Sequence, residues 1–351
     1  MAKKTKKIDK IVGIVYAYNC GEEYDMVKEM GVEWIRLPAP FPWSDKMFGT
    51  LSDAYKAAKD RIKVAHKYGM KIMATSPGLG AYRFDYDKKM TYWHDSWPAF
   101  AGEKGTESFL DNVRKTTKFL CQDLGDLVSD VWQNMNEIDI PVFAKDYIIE
   151  IPTGTARASA EGIVEANPKA KCGINLANYY GENALKVADM AYRPGHKFSY
   201  IGDDQYFGSW QDRDVDAWTA VIDGLYKRYK LPVLINEWGY SSAGKVAKRR
   251  PAEKDIKLGW TDVCTVKKWF NESKGGHTQE VQAEYFRKGH EIFAKHPHCM
   301  GSFMFCWRDA LTCYHCGQTE CPAECYWGVV DENLKPKKAY SAIKKAVADY
   351  Y

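Results

Sequence analysis

The chain has 351 residues, of which 45% are hydrophobic and 14% aromatic. This composition excludes an intrinsically disordered protein, because disordered chains contain too few apolar residues to bury a core. Residues 1–10 contain five Lys and one Asp, which accounts for the whole net charge of +4 and predicts a flexible basic tail. The remaining residues are electrically neutral, so no basic stripe indicates a nucleic-acid partner.

Apolar, β-branched runs typical of strands alternate with segments of helical periodicity. In residues 52–68, for example, Ala54, Ala58, Ile62 and Ala65 are spaced to share one helix face. The predicted strands are residues 11–16, 32–37, 71–75, 131–136, 172–177, 200–206, 233–237 and 301–307. The predicted helices are residues 22–30, 52–68, 106–124, 154–167, 181–191, 212–230, 278–295 and 337–347.

Eight strands that are each followed by a helix predict an α/β fold of the (β/α)8, or TIM, barrel type. A bare barrel needs about 250 residues, which leaves roughly 100 for loops. Long loops follow the third strand (76–105), the seventh strand (238–277) and the eighth strand (308–337). They belong to the end of the barrel where active sites form. Since no Pro/Ser-rich linker interrupts the pattern, residues 11–351 are predicted to form one domain.

Two glutamates stand where predicted strands end. Glu137 closes the fourth strand in WQNMNEIDIP, and Glu237 closes the seventh strand in LPVLINEWGY. These two strands lie across the pocket from one another in a barrel. Glycoside hydrolysis requires such a pair, because one carboxyl group must donate a proton while the other attacks the anomeric carbon. A separation of about 5–5.5 Å allows direct attack with retention of configuration.

The sequence here resembles clan A of the glycoside hydrolases, the 4/7 superfamily of retaining enzymes on (β/α)8 barrels. Asn136-Glu137 after the fourth strand and Glu237 after the seventh carry the resemblance, which extends over residues 11–350 in strand order. It implies that Glu137 is the general acid/base and Glu237 the nucleophile. It also implies that Asn136 binds the sugar 2-hydroxyl. The residue after the acid/base is Ile138 rather than the Pro of many members, which weakens the match to those subfamilies.

Other strand ends extend the resemblance. It implies that Arg36 lies beneath the nucleophile, that Tyr206 hydrogen-bonds it, and that Trp307 forms a platform under the sugar. Asp204 is predicted to share the side of Tyr206, since strand side chains alternate, and to bind a sugar hydroxyl or to pair with a cation. Taken alone, an arginine at a strand end is often a surface ion pair, and a tryptophan in a strand is often core.

Seven of the twelve tryptophans fall on the predicted catalytic face, where two to four are expected to line the pocket and stack on sugar rings. They are Trp43, Trp93, Trp97, Trp210, Trp238, Trp260 and Trp327. Trp238, directly after Glu237, is a predicted substrate-binding residue. The loops also carry Arg83, His94, Lys245 and Arg308, which would suit an acidic sugar such as glucuronate or would simply be solvated.

A cysteine-rich loop spans residues 313–325. Cys313, Cys316, Cys321 and Cys325 form C-x2-C-x4-C-x3-C, a spacing that resembles a zinc knuckle and predicts a structural zinc site. His315 could replace one of the thiols. Two disulfides in an exported protein, free thiols and an iron–sulfur cluster are the alternatives.

The sequence therefore predicts a retaining hydrolase of β-linked glycosides, exo-acting on short substrates, that needs no cofactor for catalysis. An endo-β-glycanase, a transglycosidase and a non-catalytic carbohydrate-binding barrel are the alternatives. The basic N-terminus lacks the apolar segment of a signal peptide, and no run reaches 18 apolar residues. We expect a cytoplasmic protein without a membrane partner, or a secreted one if a signal has been removed. The sequence does not indicate an oligomeric state.

Overall fold

The computed structural model describes residues 10–15, 17, 21–144 and 148–351. The strands are β1 (Ile11–Val15), β2 (Trp34–Pro38), β3 (Lys71–Thr75), β4 (Gly80–Asp85), β5 (Met90–Asp95), β6 (Val131–Gln133), β7 (Lys171–Gly173), β8 (Asn175–Leu176), β9 (Ile201–Gln205), β10 (Val233–Trp238) and β11 (Cys299–Met304). The helices are α1 (Gly21–Glu29), α2 (Asp53–Lys67), α3 (Glu107–Leu124), α4 (Glu150–Ala166), α5 (Ala184–Ala191), α6 (Trp218–Tyr229), α7 (Asp262–Val266), α8 (Gln279–Lys295) and α9 (Lys338–Tyr350). Short 3-10 helices lie at Ala99–Ala101, Gly125–Leu127, Val215–Ala217 and Glu253–Asp255.

Nine strands of the described chain form one parallel sheet in the order β7-β6-β3-β2-β1-β11-β10-β9-β8. The two outer strands, β7 and β8, are separated only by Ile174, so both edges belong to one continuous run of chain. The N–H of Gly202 in β9 donates to the carbonyl of Ile174 at 3.0 Å, across this join. The sheet therefore closes into a barrel in which β7 and β8 together act as the fifth strand.

This architecture confirms the predicted (β/α)8 barrel. The third strand has the predicted bounds, whereas the fourth ends at Gln133 instead of residue 136, because the chain turns there. Helix α4 begins at Glu150 rather than at residue 154, and Pro152 is tolerated in its first turn. The hairpin β4–β5 and helix α7 lie within predicted loops; both are short and partly exposed, so their patterns are weak.

Successive residues of the barrel strands face two different apolar layers. In β1, Val12 and Ile14 pack in the cluster shared with the surrounding helices, whereas Ile11 and Val15 belong to the cluster inside the barrel. Parallel strands that are buried on both faces are apolar throughout, which is why they appear as unbroken runs in the sequence.

Helix α2 shows how the helices pack outside the sheet. Ala58, Ile62 and Ala65 are buried on one face, as the periodicity predicts. Ala54 is exposed instead, and the neighbouring Tyr55 supplies the buried side chain of the first turn.

The three long loops meet at the C-terminal end of the barrel. In the β4–β5 hairpin, the Thr91 hydroxyl donates to the carbonyl of His315 at 3.2 Å, and Tyr86 shares a hydrogen bond of 3.0 Å with Thr312. The hairpin also touches the loop after β10, where a Cβ on Gly259 would lie 2.2 Å from Thr91. The loops after the third, seventh and eighth barrel strands therefore form one continuous wall.

Residues 1–9 of the predicted basic tail lie outside the described residues. Lys10, its last residue, is bound to the barrel, since its ammonium donates to the carbonyls of Phe293 and His296 at 2.7 and 2.6 Å. Among the described helices, none has the length and apolar character needed to cross a membrane.

Candidate active site

A cavity of about 290 Å³ opens at the C-terminal end of the barrel. Glu137, which follows β6, and Glu237, which lies in β10, both line it. These strands are the fourth and seventh of the barrel, so the two carboxyl groups reach the cavity from different parts of the ring. Two glutamates a hundred residues apart in sequence are thus brought to one cleft.

Glu137 is turned towards the cavity by an unusual backbone path after β6. Met135 and Glu137 have φ angles of +67° and +43°, in the left-handed region that non-glycine residues rarely adopt. Ser76 accepts the Met135 N–H at 3.1 Å, and the Gln133 side chain donates to the Met135 carbonyl at 3.0 Å. Asn136 Nδ2 donates to Glu137 Oε2 at 3.2 Å. Surrounding contacts thus hold a conformation that is found disproportionately at functional sites.

Glu237 is aimed by a β-bulge in β10. Ile235 lies opposite Asp203 of β9 and Glu237 lies opposite Asp204, so Asn236 is the extra residue on the β10 side. A bulge breaks the alternation of side chains and redirects the residue that follows it. The amide of Asn236 is fixed inside the barrel, where it donates to Gln133 Oε1 at 2.9 Å.

The carboxylate of Glu237 is bound on both oxygens. Arg36 donates from Nη2 to Oε1, and the Tyr206 hydroxyl donates to Oε2. Arg36 is fixed in turn by Gln133 Oε1 at 3.0 Å and by the carbonyl of Asn236 at 3.3 Å. A guanidinium and a hydroxyl donor both stabilise the charged form of a carboxylate. Arg36 and Tyr206 therefore both hold the carboxylate of Glu237.

Glu137 has a different environment. Burial raises its pKa well above the ordinary value, and the charges of Glu237 and Asp139 raise it further, while Arg36 acts in the opposite direction. The cavity therefore contains one carboxyl group that tends to keep its proton and another that is paired with a cation. Such a pair can donate a proton on one side of a bond and attack on the other.

Asp204 was predicted to face the cavity beside Tyr206, but it is not among the residues that line the cavity. Its side chain is fully buried, because β9 holds it inside the barrel, and burial together with the charges of Glu237 and Glu137 raises its pKa well above the ordinary value. Asn175 Nδ2 donates to Asp204 Oδ2 at 2.7 Å and to Asn136 Oδ1 at 3.0 Å. Asp204 is therefore placed to orient Asn136 through Asn175 rather than to touch substrate.

Two of the described tryptophans, Trp210 and Trp327, line the cavity, within the expected two to four. Trp327 packs edge-on against Tyr206, with ring centroids 5.0 Å apart, and against Phe305 at 5.7 Å. These rings give the cavity an apolar wall beside the carboxyl groups.

Trp238 and Trp307 do not line the cavity, although both were predicted to bind substrate. The side chain of Trp238 points outward from β10 towards α8, where its ring lies 5.0 Å from Phe286 and 4.8 Å from Phe293. Trp307 is fully buried in the outer apolar layer and contacts Tyr340 of α9 at 6.5 Å. Both belong to the core because their side chains face the helices.

His315, Glu324 and Thr261 line the cavity and were not predicted as site residues. His315 Nε2 lies 3.3 Å from Glu324 Oε1, so it pairs with a carboxylate instead of replacing a thiol. Burial raises the pKa of Glu324, and the charge of Glu237 acts in the same direction. The only sequence signal for these residues is their position in the long loops after the seventh and eighth strands.

The structure changes the predicted cysteine group by one member. Cys264, Cys313, Cys316 and Cys321 offer sulfur atoms that all lie within 4.8 Å of one another. Cys325 is not part of this group, because its sulfur faces the carbonyl of Gln318 at 3.9 Å. Cys264 comes from helix α7 and was overlooked, since it is 49 residues from Cys313 in sequence. None of the cysteines in the described ranges is joined to another in a disulfide.

No protein-family model matches the chain, and no curated protein does. It is similar to the solved Ignisphaera aggregans GH53 catalytic domain, with a TM-score of 0.64 and 18% identity over 97% of this chain and 96% of that one. The chain is also similar to a structure from a study of two fungal β-1,4-galactanases, with a TM-score of 0.60 and 15% identity over 92% of this chain and 90% of that one. A Dictyoglomus thermophilum β-D-glucuronidase matches with a TM-score of 0.59 and 14% identity, and the match covers 99% of this chain but only 52% of the glucuronidase chain. The resemblance to clan A is thus confirmed at the level of the fold.

Proposed function

We propose that this protein is a retaining β-glycosidase that acts by double displacement. One observation carries the proposal: a single cavity contains Glu137, whose pKa is raised, and Glu237, whose carboxylate is bound by Arg36 and Tyr206. These two environments support the two roles that the mechanism needs at the start, a proton donor at Glu137 and an attacking carboxylate at Glu237.

In the first step, Glu137 donates its proton to the glycosidic oxygen while Glu237 attacks the anomeric carbon. The carbon–oxygen bond breaks, the leaving group departs as an alcohol, and the sugar becomes an ester of Glu237. Glu137, now ionised, then takes a proton from a water molecule whose oxygen attacks the same carbon. The ester bond breaks, both glutamates return to their starting states, and two inversions give net retention.

Asn136 is suited to bind the sugar 2-hydroxyl in both steps. Its Oδ1 accepts hydrogen bonds from Gln133 at 2.9 Å and from Asn175 at 3.0 Å, which fixes the orientation of the amide. The Nδ2 group is thereby directed at Glu137, and one of its two hydrogens remains for the substrate. A hydrogen bond at this hydroxyl strengthens as the transition state forms.

The surroundings of the cavity support a short, neutral substrate and exo action. The long loops wall the cavity, and about 290 Å³ is at the small end for ligand pockets. Among the described residues that line the cavity, none is a lysine or an arginine, the cations that would pair with an acidic sugar. Trp210 and Trp327 offer the flat apolar faces on which sugar rings stack.

An endo-β-glycanase is the second candidate, because β-1,4-galactanases are among the structures matched along nearly the whole chain. The products separate the two candidates. Release of single sugars from the end of an oligosaccharide supports exo action, and a rapid fall in polymer length supports endo action. Transfer of the sugar to an added alcohol would identify a transglycosidase with the same intermediate.

The test is a panel of nitrophenyl β-glycosides, including a glucuronide, assayed with wild type, Glu137→Ala and Glu237→Ala. Loss of the nucleophile is expected to lower kcat by roughly 10⁴-fold or more. Loss of the acid/base should cost about 10²- to 10⁴-fold, and less with the best leaving groups. Glu182→Ala, at an exposed glutamate, is the matched control. Near wild-type rates in both cavity variants would overturn the proposal.

A further inference from the structure

Four thiols from two separate loops meet beside the cavity. Cys264 lies in α7, within the loop after β10, and the other three lie in the loop after β11. The sulfur of Cys264 is 3.7 Å from that of Cys313 and 3.8 Å from that of Cys321. All four residues, including Cys316, are buried.

These distances match the geometry of one tetrahedral zinc ion. With a Zn–S bond of about 2.3 Å, the sulfurs of a tetrahedral site lie roughly 3.8 Å apart. A disulfide requires about 2.05 Å, so neither measured pair has that geometry. In an iron–sulfur cluster, several irons and sulfides separate the thiolates, which requires wider spacing than a group confined within 4.8 Å.

The backbone around the thiols is shaped to present them. Gly317 has a φ of +65°, and its N–H donates to the carbonyl of Cys313 at 2.7 Å, which forms a tight turn between two of the ligands. A Cβ on Gly317 would lie 2.2 Å from the ring of Phe84 in the β4–β5 hairpin, so glycine also permits close packing there. On the other loop, Thr261 accepts the N–H of Cys264 at 3.0 Å as the cap of α7.

We propose that Cys264, Cys313, Cys316 and Cys321 bind one Zn²⁺ ion that joins the loop after β10 to the loop after β11. The ion is structural, since its four ligands are cysteines and neither Glu137 nor Glu237 is among them. The sequence predicts a zinc knuckle whose ligands all come from one loop, whereas these ligands come from two loops. Along the chain, the two loops are connected only through α8 and β11, so the zinc ion adds a direct cross-link between them.

The cross-link braces one wall of the cavity. Tyr314 and His315 lie between the ligands Cys313 and Cys316, and Thr261 caps the helix that carries Cys264; all three non-cysteine residues line the cavity. Zinc occupancy therefore fixes the position of side chains that face the substrate. This consequence for activity depends on the proposed glycosidase function, whereas metal binding does not.

The first test measures metal in protein purified reduced and without added metal. Wild type and Cys325→Ser should each contain about one zinc per chain, because Cys325 lies outside the group. Cys264→Ser should lose most of its zinc. Removing a residue that only hydrogen-bonds a metal ligand typically lowers metal affinity by about 10- to 100-fold, so removing a ligand itself should lower the zinc affinity by more than that. Metal-free wild type, stoichiometric iron, or a disulfide between these cysteines in non-reducing mass spectrometry would overturn the proposal. Zinc loss in Cys325→Ser with retention in Cys264→Ser would overturn it equally.

Replacement of zinc by cobalt in wild type tests the geometry without any substitution. Four thiolates around Co²⁺ should give intense tetrahedral absorption with sulfur-to-metal charge transfer, and weak octahedral bands would contradict the assignment. A chelator that removes the zinc should then lower kcat/KM at least several-fold, with recovery on adding Zn²⁺. If zinc is bound while Glu137→Ala and Glu237→Ala retain wild-type activity, the proposed function alone fails. If those variants are inactive and zinc is absent, only this inference fails.

Discussion

Asp139 provides a sharp test of the electrostatics around Glu137, the proposed acid/base. It is buried two residues after Glu137, and its Oδ1 accepts the N–H of Ala177 at 2.7 Å. Burial nevertheless raises its pKa from 3.8 to about 6. Asp139→Asn keeps the shape and the accepting oxygen but removes the charge, so the variant behaves like the protonated acid at every pH.

The expected change in the free energy of unfolding follows from the raised pKa of Asp139. A folded-state pKa above the unfolded value means that the folded protein binds the proton more tightly, so the stability contribution is present below pH 4 and is lost as the pH rises to about 6. The difference between a pKa of 3.8 and one of about 6 corresponds to roughly 3 kcal/mol of folding free energy. Relative to wild type, Asp139→Asn should therefore gain about 3 kcal/mol in free energy of unfolding between pH 4 and pH 7.

The assay is urea unfolding of both proteins from pH 4 to pH 7, with exposed Asp126→Asn as the control that should show no such trend. Any fixed cost of the new amide group cancels, because the measured quantity is the change of the difference with pH. The charge of Asp139 also raises the pKa of Glu137, so the basic limb of kcat/KM should move to lower pH in the variant. A stability difference that is constant across this range would refute the reasoning.

Three further variants examine the remaining parts of the cavity. Tyr206→Phe keeps the ring on Trp327 but removes a hydrogen bond to a charged group that the folded protein already makes, so the free energy of unfolding should fall by about 1.5–3 kcal/mol in urea unfolding. The value of kcat/KM should fall as well, because Glu237 loses one of the two groups that orient it. Arg36→Met leaves Glu237 buried without its cation and should destabilise the protein by about 3–5 kcal/mol in urea unfolding, so a neutral effect would contradict the ion pair. Trp210→Ala should raise KM roughly 2- to 10-fold through lost stacking, with little change in kcat.

The sequence was sufficient to predict the barrel and the convergence of Glu137 and Glu237 on one cavity, because both depend on regular features. Strand ends on the same side of a barrel converge, so Glu137 and Glu237 could be placed together from strand order, and the resemblance to clan A added Arg36 and Tyr206. Their hydrogen bonds in the structure follow from that convergence.

Other features depend on local irregularities that a period-two pattern cannot anticipate. The bulge at Asn236 directs Glu237 into the cavity, and Trp238 then packs outward against α8. The fifth barrel strand is short and is split at Ile174, so the sequence pattern did not indicate which way the Asn175 side chain points. In the structure Asn175 links Asp204 to Asn136 by hydrogen bonds.

Loop residues were the least predictable, because their positions depend on contacts between distant segments. Cys264 joins three thiols that follow it by some fifty residues, and only the folded loops bring them together. His315 and Glu324 enter the cavity for the same reason. The cysteine spacing within one loop therefore predicted three of the four clustered thiols correctly. It wrongly included Cys325 in place of Cys264.

The most direct test of the account is to trap the covalent intermediate. Wild type would be incubated with the 2-deoxy-2-fluoro glycosyl fluoride of the sugar preferred in the glycoside panel, and the labelled peptide would be identified by mass spectrometry. With Glu237 as the nucleophile, we expect one sugar per chain, esterified to Glu237. A label on Glu137 or Glu324, or turnover that releases the inverted anomer, would contradict it.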